Sequence, residues 1–256
     1  MSRAADISAY LFAQGETPVK DLARLLGASL ATIRRDLAQL ESSGLVERVH
    51  GAARLASAAK AEVGHKTRED RNLPAKRAIA RLAYGLLRPG NTILLDAGTT
   101  VLQLARQIRL EPLPLTVVTN GLAVAQELAD LPQVHLCILG GRLRPGHLSV
   151  VGPLAEAMLA GLWLDQAFLG ASAVAADGWI TSFDADEARL NSAMADRAAR
   201  LTLLADRSKL GGRATFAVRQ LTGSDTLITD HPPPAFADFA ARCGLTLLHP
   251  PEAAHA

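Results

Sequence analysis

The chain has 256 residues, enough for one large or two ordinary domains, and 49% of them are hydrophobic, so a sizeable core can form. A formal net charge of +2 neither demands nor excludes a nucleic-acid partner, and two distant cysteines, Cys137 and Cys243, give no disulfide framework and no metal-ligand spacing. No apolar run reaches the roughly 18 residues of a membrane span, and the opening MSRAADISAYLF carries an acid and no cleavage pattern, so a cytoplasmic chain without a membrane partner, cofactor or metal is expected.

The first 55 residues read as three helices and a hairpin. AADISAYLFAQG places Ile7, Tyr10 and Leu11 on one stripe and ends at Gly15. Thr17 is predicted to cap a second helix, with Pro18 at its first position and Gly27 beyond its end. Ser29 caps a third, SLATIRRDLAQLESSGL, which stops at Gly44 and puts Leu30, Ile33, Leu37 and Leu40 on a core face. LVERVHGAARL then reads as two short strands turning at Gly51. Positions 56–77 are polar, charged and nearly free of large apolar residues, as in a linker that merges into a helix after Pro74.

From about residue 78 the rhythm becomes strand, loop, helix: NTILLDAGTTVLQLARQI, LTVVTNGLAVAQELADL, VHLCILGGRL, LDQAFLGASAV, LTLLADRSKLGG. Apolar strands alternating with helices predict a largely parallel sheet covered on both faces. Cys137, inside VHLCILGG, reads as a buried thiol. The expected architecture is thus two domains: an α-rich winged helix-turn-helix over 1–55, a linker over 56–77, and an α/β domain with a mostly parallel sheet over 78–256.

Two helices joined by a tight turn, the second with a polar outer face, form a helix-turn-helix. The polar face of the third helix carries Thr32, Arg35 and Gln39, with Arg34 at its edge. Ser29 and nearby amides can hold a phosphate at the helix N-terminus, and a guanidinium can grip a guanine edge or neutralise a phosphate. The hairpin would act as a wing that brings Arg48, His50 and Arg54 to the DNA backbone or minor groove. On helical pattern alone, an ordinary amphipathic helix with a solvated face accounts for the same residues. Charge does not separate the two readings: residues 1–55 hold seven Lys or Arg against six Asp or Glu, a net of +1.

In the second domain, LLDAGTT places Asp96, Gly98, Thr99 and Thr100 between a strand and a helix N-terminus, an arrangement suited to a phosphate. VVTNG repeats it with Thr119 and Asn120; ILGGR adds Gly140, Gly141 and the cation Arg142; DRSKLG adds Lys209. In an open parallel sheet such strand ends line one edge, where ligands bind. Each element alone is equally a tight connection or a solvated lysine.

VKDLARLLGASLATIRRDLAQLESSGLVERVHGAARL resembles the winged helix-turn-helix signature of the DeoR family of bacterial transcriptional regulators, with TIRRDL, the GL after the helix and the HG of the wing as its most specific pieces. The likeness continues in order through LDAGTT, VVTN, LGGRLRP, VGPLA, AFLGA and ADRSKLG, nearly the whole chain. It implies a sensor domain similar to ribose-5-phosphate isomerase that binds phosphorylated sugars or polyols. Asp96, Gly98, Thr99 and Thr100 match the family's phosphate loop; Thr119, Asn120, Gly140, Gly141 and Lys209 match its other ligand positions. The resemblance also implies an operator duplex as partner, repression relieved by the ligand, and a homo-oligomer, dimeric or larger. Two departures bear on the ligand. GASAV stands where the family reads GADGI, so Ser172 replaces an Asp. DEARLNSAM stands for EEAEVKRAM, which keeps Glu187 but puts Arg189 and Asn191 where the family has Glu and Lys.

The alternative is a sugar-phosphate isomerase with a DNA-binding appendage. Aldose–ketose isomerisation needs a base beside the carbon that loses its proton. The acid-rich segment that resembles it in the isomerases is GASAV here, with no carboxylate before Asp177, which favours binding without turnover. A purely architectural DNA binder would have no use for the large α/β domain.

Overall fold

The computed structural model describes residues 3–43, 45–49, 51–56 and 64–251, in two compact units, Met1–Arg71 and Asn72–Ala256.

In the first unit α1 (Arg3–Gln14), β1 (Thr17–Pro18), α2 (Val19–Leu25), α3 (Leu30–Ser42), β2 (Val46–Val49) and β3 (Ala52–Leu55) enclose a small core, and α4 (His65–Asp70) follows. Ile7, Leu11, Val19, Leu22, Ile33, Leu37, Leu40, Val46 and Leu55 are buried together. The strands form an antiparallel sheet in the order β1-β3-β2, with Gly51 (φ 85°) in the turn between β2 and β3. Ser29 caps α3, its hydroxyl accepting from the Thr32 amide at 3.1 Å.

Two local expectations are corrected. Thr17 and Pro18 are extended residues paired with Ala53 and Ala52, not the first turn of a helix. Thr17 Oγ1 donates to the Gly15 carbonyl, and the opening amide of α2, on Val19, is satisfied by the Gly51 carbonyl at 3.1 Å, so that helix starts without a side-chain cap. Leu30 is 42% exposed rather than core, because the first residue of α3 projects beyond the packed face. Gly44 and His50 lie outside the described residues.

Residues 65–70, polar as they are, make the single helix α4, where Lys66 Nζ donates to Asp70 at 3.0 Å one turn on. In the second unit α5 (Leu73–Tyr84) begins one residue before Pro74, where a missing amide costs no helical hydrogen bond. Then come β4 (Thr92–Leu95), α6 (Thr99–Leu110), β5 (Leu115–Thr119), α7 (Leu122–Leu128) and β6 (Val134–Ile138). A hairpin of β7 (Arg142–Arg144) and β8 (Ser149–Val151) leads to α8 (Pro153–Ala160), β9 (Gln166–Leu169), β10 (Ala173–Val174), β11 (Trp179–Ser182), α9 (Ala185–Asp196) and β12 (Leu201–Leu204). A 3-10 turn at Arg207–Lys209 precedes β13 (Phe216–Gln220), β14 (Thr226–Ile228), α10 (Pro234–Cys243) and β15 (Thr246–Leu248).

Seven strands form one parallel sheet in the order β15-β14-β12-β9-β4-β5-β6. Side-chain alternation divides its burial between two cores. Ile93, Leu95, Val117 and Phe168 pack with α5, α6 and α7 on one face; Leu94, Val118, Ala167 and Leu169 pack with α8, α9 and α10 on the other. The chain lays β4, β5 and β6 outward in one direction, then returns to place β9 on the free edge of β4. Cys137 is exposed, not buried: β6 is the edge strand, and its outward positions lack a covering layer.

The two leucines of α3 separate core from surface. Leu37, fully buried, replaced by alanine should destabilise the first unit by about 2–5 kcal/mol, whereas Leu30→Ala should change it by less than about 0.5 kcal/mol. Thermal unfolding of both variants reads the difference; equal melting temperatures would reverse the face assignment.

Candidate functional site

Two surfaces carry chemistry. On the first unit, Ser29, Arg34, Arg35 and Gln39 are exposed and Thr32 half-buried, opposite the buried Ile33 and Leu37. Among the described residues Arg34 and Arg35 make no ion pair. The wing arginines differ: Arg48 lies 3.8 Å from Glu41, and Arg54 lies 2.8 Å from Glu47 and 3.9 Å from Glu16. Such exposed pairs are worth little and exchange readily for another anion.

On the second unit, the site is the carboxyl edge of the sheet at β4 and β9, where the strand order reverses. Asp96, 5% exposed, ends β4 and accepts from the Gly170 amide at the end of β9, 3.0 Å away. A Cβ on Gly98 would come 3.3 Å from that carboxylate and 3.4 Å from Gly170 Cα, so two glycine backbones meet under it. Burial, aided by the charge of Glu187, pushes the Asp96 carboxyl up to about 6 against the opposing hydrogen bonds from the Gly170, Ala97 and Gly98 amides.

Thr99 and Thr100, both buried, open α6. Lys76 of α5, 3% exposed, donates from Nζ to Thr99 Oγ1 at 3.0 Å. This lysine escaped the sequence reading, although it interrupts the apolar stripe of Ile79, Ala80 and Ala83 on α5, a place where a charge is out of pattern. Lys209, half-buried after β12, comes from two strands further along the sheet.

The other expected positions divide. Thr119 Oγ1 donates to the Leu95 carbonyl at 2.6 Å and accepts from the Gly121 amide at 3.0 Å, so its hydroxyl is engaged within the fold. Asn120, beside Asp96 at the adjoining strand end, is 2% exposed. Gly141 (φ 139°) admits the Val151 carbonyl, which a Cβ would meet at 2.7 Å, and the Gly140 amide donates to Met158 Sδ; both glycines serve packing. Arg142 pairs with Asp186 at 2.5 Å toward solvent. Ser172 is half-buried in the loop after β9, and Glu187 accepts a short hydrogen bond from Ser182 Oγ. Among the described residues no group of three or more His, Cys, Asp or Glu is placed to hold a metal, and no helix is long and apolar enough to cross a membrane.

The raised Asp96 carboxyl has a sign. Its folded form holds the proton more tightly than the unfolded chain, so the stability it contributes is complete below its ordinary value of 3.8 and is lost as pH rises through about 6. Asp96→Asn should flatten the melting temperature between pH 4 and 7 and make the unliganded chain about 1–3 kcal/mol more stable than wild type at pH 8. Parallel pH profiles for the two proteins would dispose of this if the variant were the less stable at pH 8.

Comparison with known proteins completes the picture. Residues 3–59 match the DeoR-like helix-turn-helix domain, and residues 71–231 match the DeoR C terminal sensor domain. The HTH-type transcriptional regulator GlpR of Haloferax volcanii is 39% identical over 83% of this chain and 82% of its own length. The HTH-type transcriptional repressor CsqR of Escherichia coli is 32% identical over 87% and 84%, and the repressor GlcR of Bacillus subtilis 31% identical over 93% and 92%. Among solved structures, ribose 5-phosphate isomerase A of Methanocaldococcus jannaschii aligns with a TM-score of 0.40 at 20% identity over 54% of this chain and 55% of that one, a likeness too remote to bear on function. With the helix-turn-helix and the sensor sheet both accounted for, and relatives that are regulators rather than enzymes, the chain belongs to the DeoR family of transcriptional regulators.

Proposed function

We propose that the chain represses transcription in the cytoplasm by binding an operator duplex through α3 and the wing, and that a phosphorylated sugar or polyol releases it. The observation that carries the effector reading is the meeting of Lys76 with Thr99 at the N-terminus of α6. A phosphate dianion needs donors and positive charge in place of its water. A helix N-terminus supplies about half an elementary charge and a lysine one more, together most of the dianion's charge. The names of relatives support the sign of regulation, since those of Escherichia coli and Bacillus subtilis cited above are called repressors. The DNA side supports a homo-oligomer, since paired recognition helices read half-sites one turn apart. Ligand and operator are coupled only as far as the ligand's affinity differs between the operator-binding and released states.

Two substitutions test the two ends. Arg35→Ala should weaken binding to duplexes selected by the wild-type protein by about 1–3 kcal/mol; an unchanged affinity and salt slope would remove Arg35 from the interface. Lys76→Met, close in volume and apolar, should reduce affinity for phosphorylated effectors by at least about tenfold while sparing their dephosphorylated forms and the operator. Calorimetry on Lys76→Met and Lys209→Ala side by side shows which lysine neutralises the phosphate. If unphosphorylated sugars release DNA as well as their phosphates do, the phosphate reading is wrong.

A further inference from the structure

The β7–β8 hairpin lies across the end of β5. The Val150 amide donates to the Asn120 carbonyl and the Leu122 amide to the Leu148 carbonyl, each at 2.8 Å, and Asn120 Nδ2 donates to the Val150 carbonyl at 3.2 Å. Its inner face is polar. Arg144, with a side chain 10% exposed, stands between Asp184 and Glu187 at 3.4 Å from each, and His147 Nδ1 lies 3.8 Å from Glu187. Ser149 is the cross-strand partner of Arg144. Together with Asn120, beside Asp96, these residues wall the part of the strand-end edge next to the phosphate loop.

This wall is incompletely satisfied. Asn120 Oδ1 and Ser149 Oγ have no hydrogen-bond partner, although each residue is only 2% exposed. Arg144 Nη1 faces Glu187 without hydrogen-bond alignment, and Asn191, one turn beyond Glu187 on α9 and 5% exposed, leaves its Oδ1 unpaired. A buried polar atom without a partner in the protein is costly, and several in one region call for a partner from outside the chain. The set is mixed: two amide oxygens that only accept, a guanidinium that only donates, and a hydroxyl that does both. An inorganic anion satisfies the donors and repels the acceptors; a hydrocarbon satisfies neither. A run of hydroxyl groups, each donor and acceptor at once, satisfies all four. Leu148, in the turn of the hairpin, has φ 52°, an uncommon and strained conformation for a bulky residue.

We propose that Arg144 and Ser149 on the hairpin, with Asn120 and Asn191, bind the hydroxyls of the effector's carbon chain and so select which phosphorylated sugar or polyol the protein answers to. This rests on the effector reading given above and adds the residues that read the carbon chain. These residues set selectivity, and Lys76 and α6 set the demand for a phosphate.

The test uses the full chain, Ser149→Ala and Arg144→Lys, and a panel of inorganic phosphate, sugar and polyol phosphates of three to six carbons, and the same polyols unphosphorylated, read by melting shift and calorimetry. Ser149→Ala should melt no lower than wild type without ligand, because its hydroxyl pairs with nothing in the fold. Each hairpin variant should bind the preferred sugar or polyol phosphate about tenfold more weakly and inorganic phosphate within about twofold of wild type. Wild-type affinity of both variants for every carbon-chain probe overturns the proposal, and so does an equal loss for inorganic phosphate. So does a wild-type protein that no polyol, phosphorylated or free, stabilises. If free polyols bind as tightly as their phosphates, the phosphate reading fails instead, and the same tenfold loss, now read on free polyols, still supports the hairpin's role.

Discussion

The sensor sheet depends on the joining of β4 to β9, the point where its strand order reverses. The chain leaves β4 in one direction and returns to β4 from the other, so two strand ends that are about seventy residues apart in sequence must be fastened side by side. The β4–β9 ladder does this, and Asp96 secures its carboxyl end by accepting the Gly170 amide; Gly98 and Gly170 permit that contact because neither carries a Cβ to hold the backbones apart. Once they are fastened, the helix that follows β4 points its first amides, Thr99 and Thr100 at the carboxyl edge, and α5 delivers Lys76 to the same place. The carboxylate is buried to achieve this and resists ionisation as a result, so the group that ties the two strand ends together keeps its proton to a higher pH than an ordinary carboxyl does.

Much of this was legible in the sequence because parallel strands covered on both faces are written as short apolar runs. TILL, QAFL and LTLL need no alternation to be recognised, and the glycines and threonines after them mark the edge where ligands bind. What escaped depends on distant partners. Thr17 and Pro18 read as a helix start because the strand that claims them, with Ala53, lies 36 residues on. Cys137 read as core because edge position belongs to the strand order, which no local pattern contains. Lys76 was visible as a charge on an apolar stripe, but its place required knowing that the first turn of α5 lies beside the first turn of α6. Arg144 and Ser149 sit in a loop-like stretch whose polarity looked ordinary until the hairpin folded it inward.

The DNA-binding unit solves a different problem with little net charge. Its wing arginines are balanced by Glu16, Glu41 and Glu47, whereas Arg34 and Arg35 on α3 face outward without an ion pair among the described residues. Non-specific attraction to phosphate is thereby held down, and in the proposed function the two guanidinia on the helix are the ones that reach the duplex. A regulator that must leave its site when a metabolite arrives gains from this balance, because the backbone attraction that the effector has to overcome stays small.

The reversal at β4 also has a consequence in time. The first unit is built from contacts close in sequence and can form as soon as it emerges from the ribosome. The sensor cannot: β4 pairs with β5 promptly, but its other edge waits for β9, from Leu95 to Gln166. At a synthesis rate of about 5–20 residues per second, that apolar edge stands open for roughly 4–14 seconds in every nascent chain. An unpaired strand edge invites pairing with other chains. The geometry that brings the start of α6 and a lysine together therefore fixes the interval of greatest aggregation risk during synthesis, and places it in the middle of the chain.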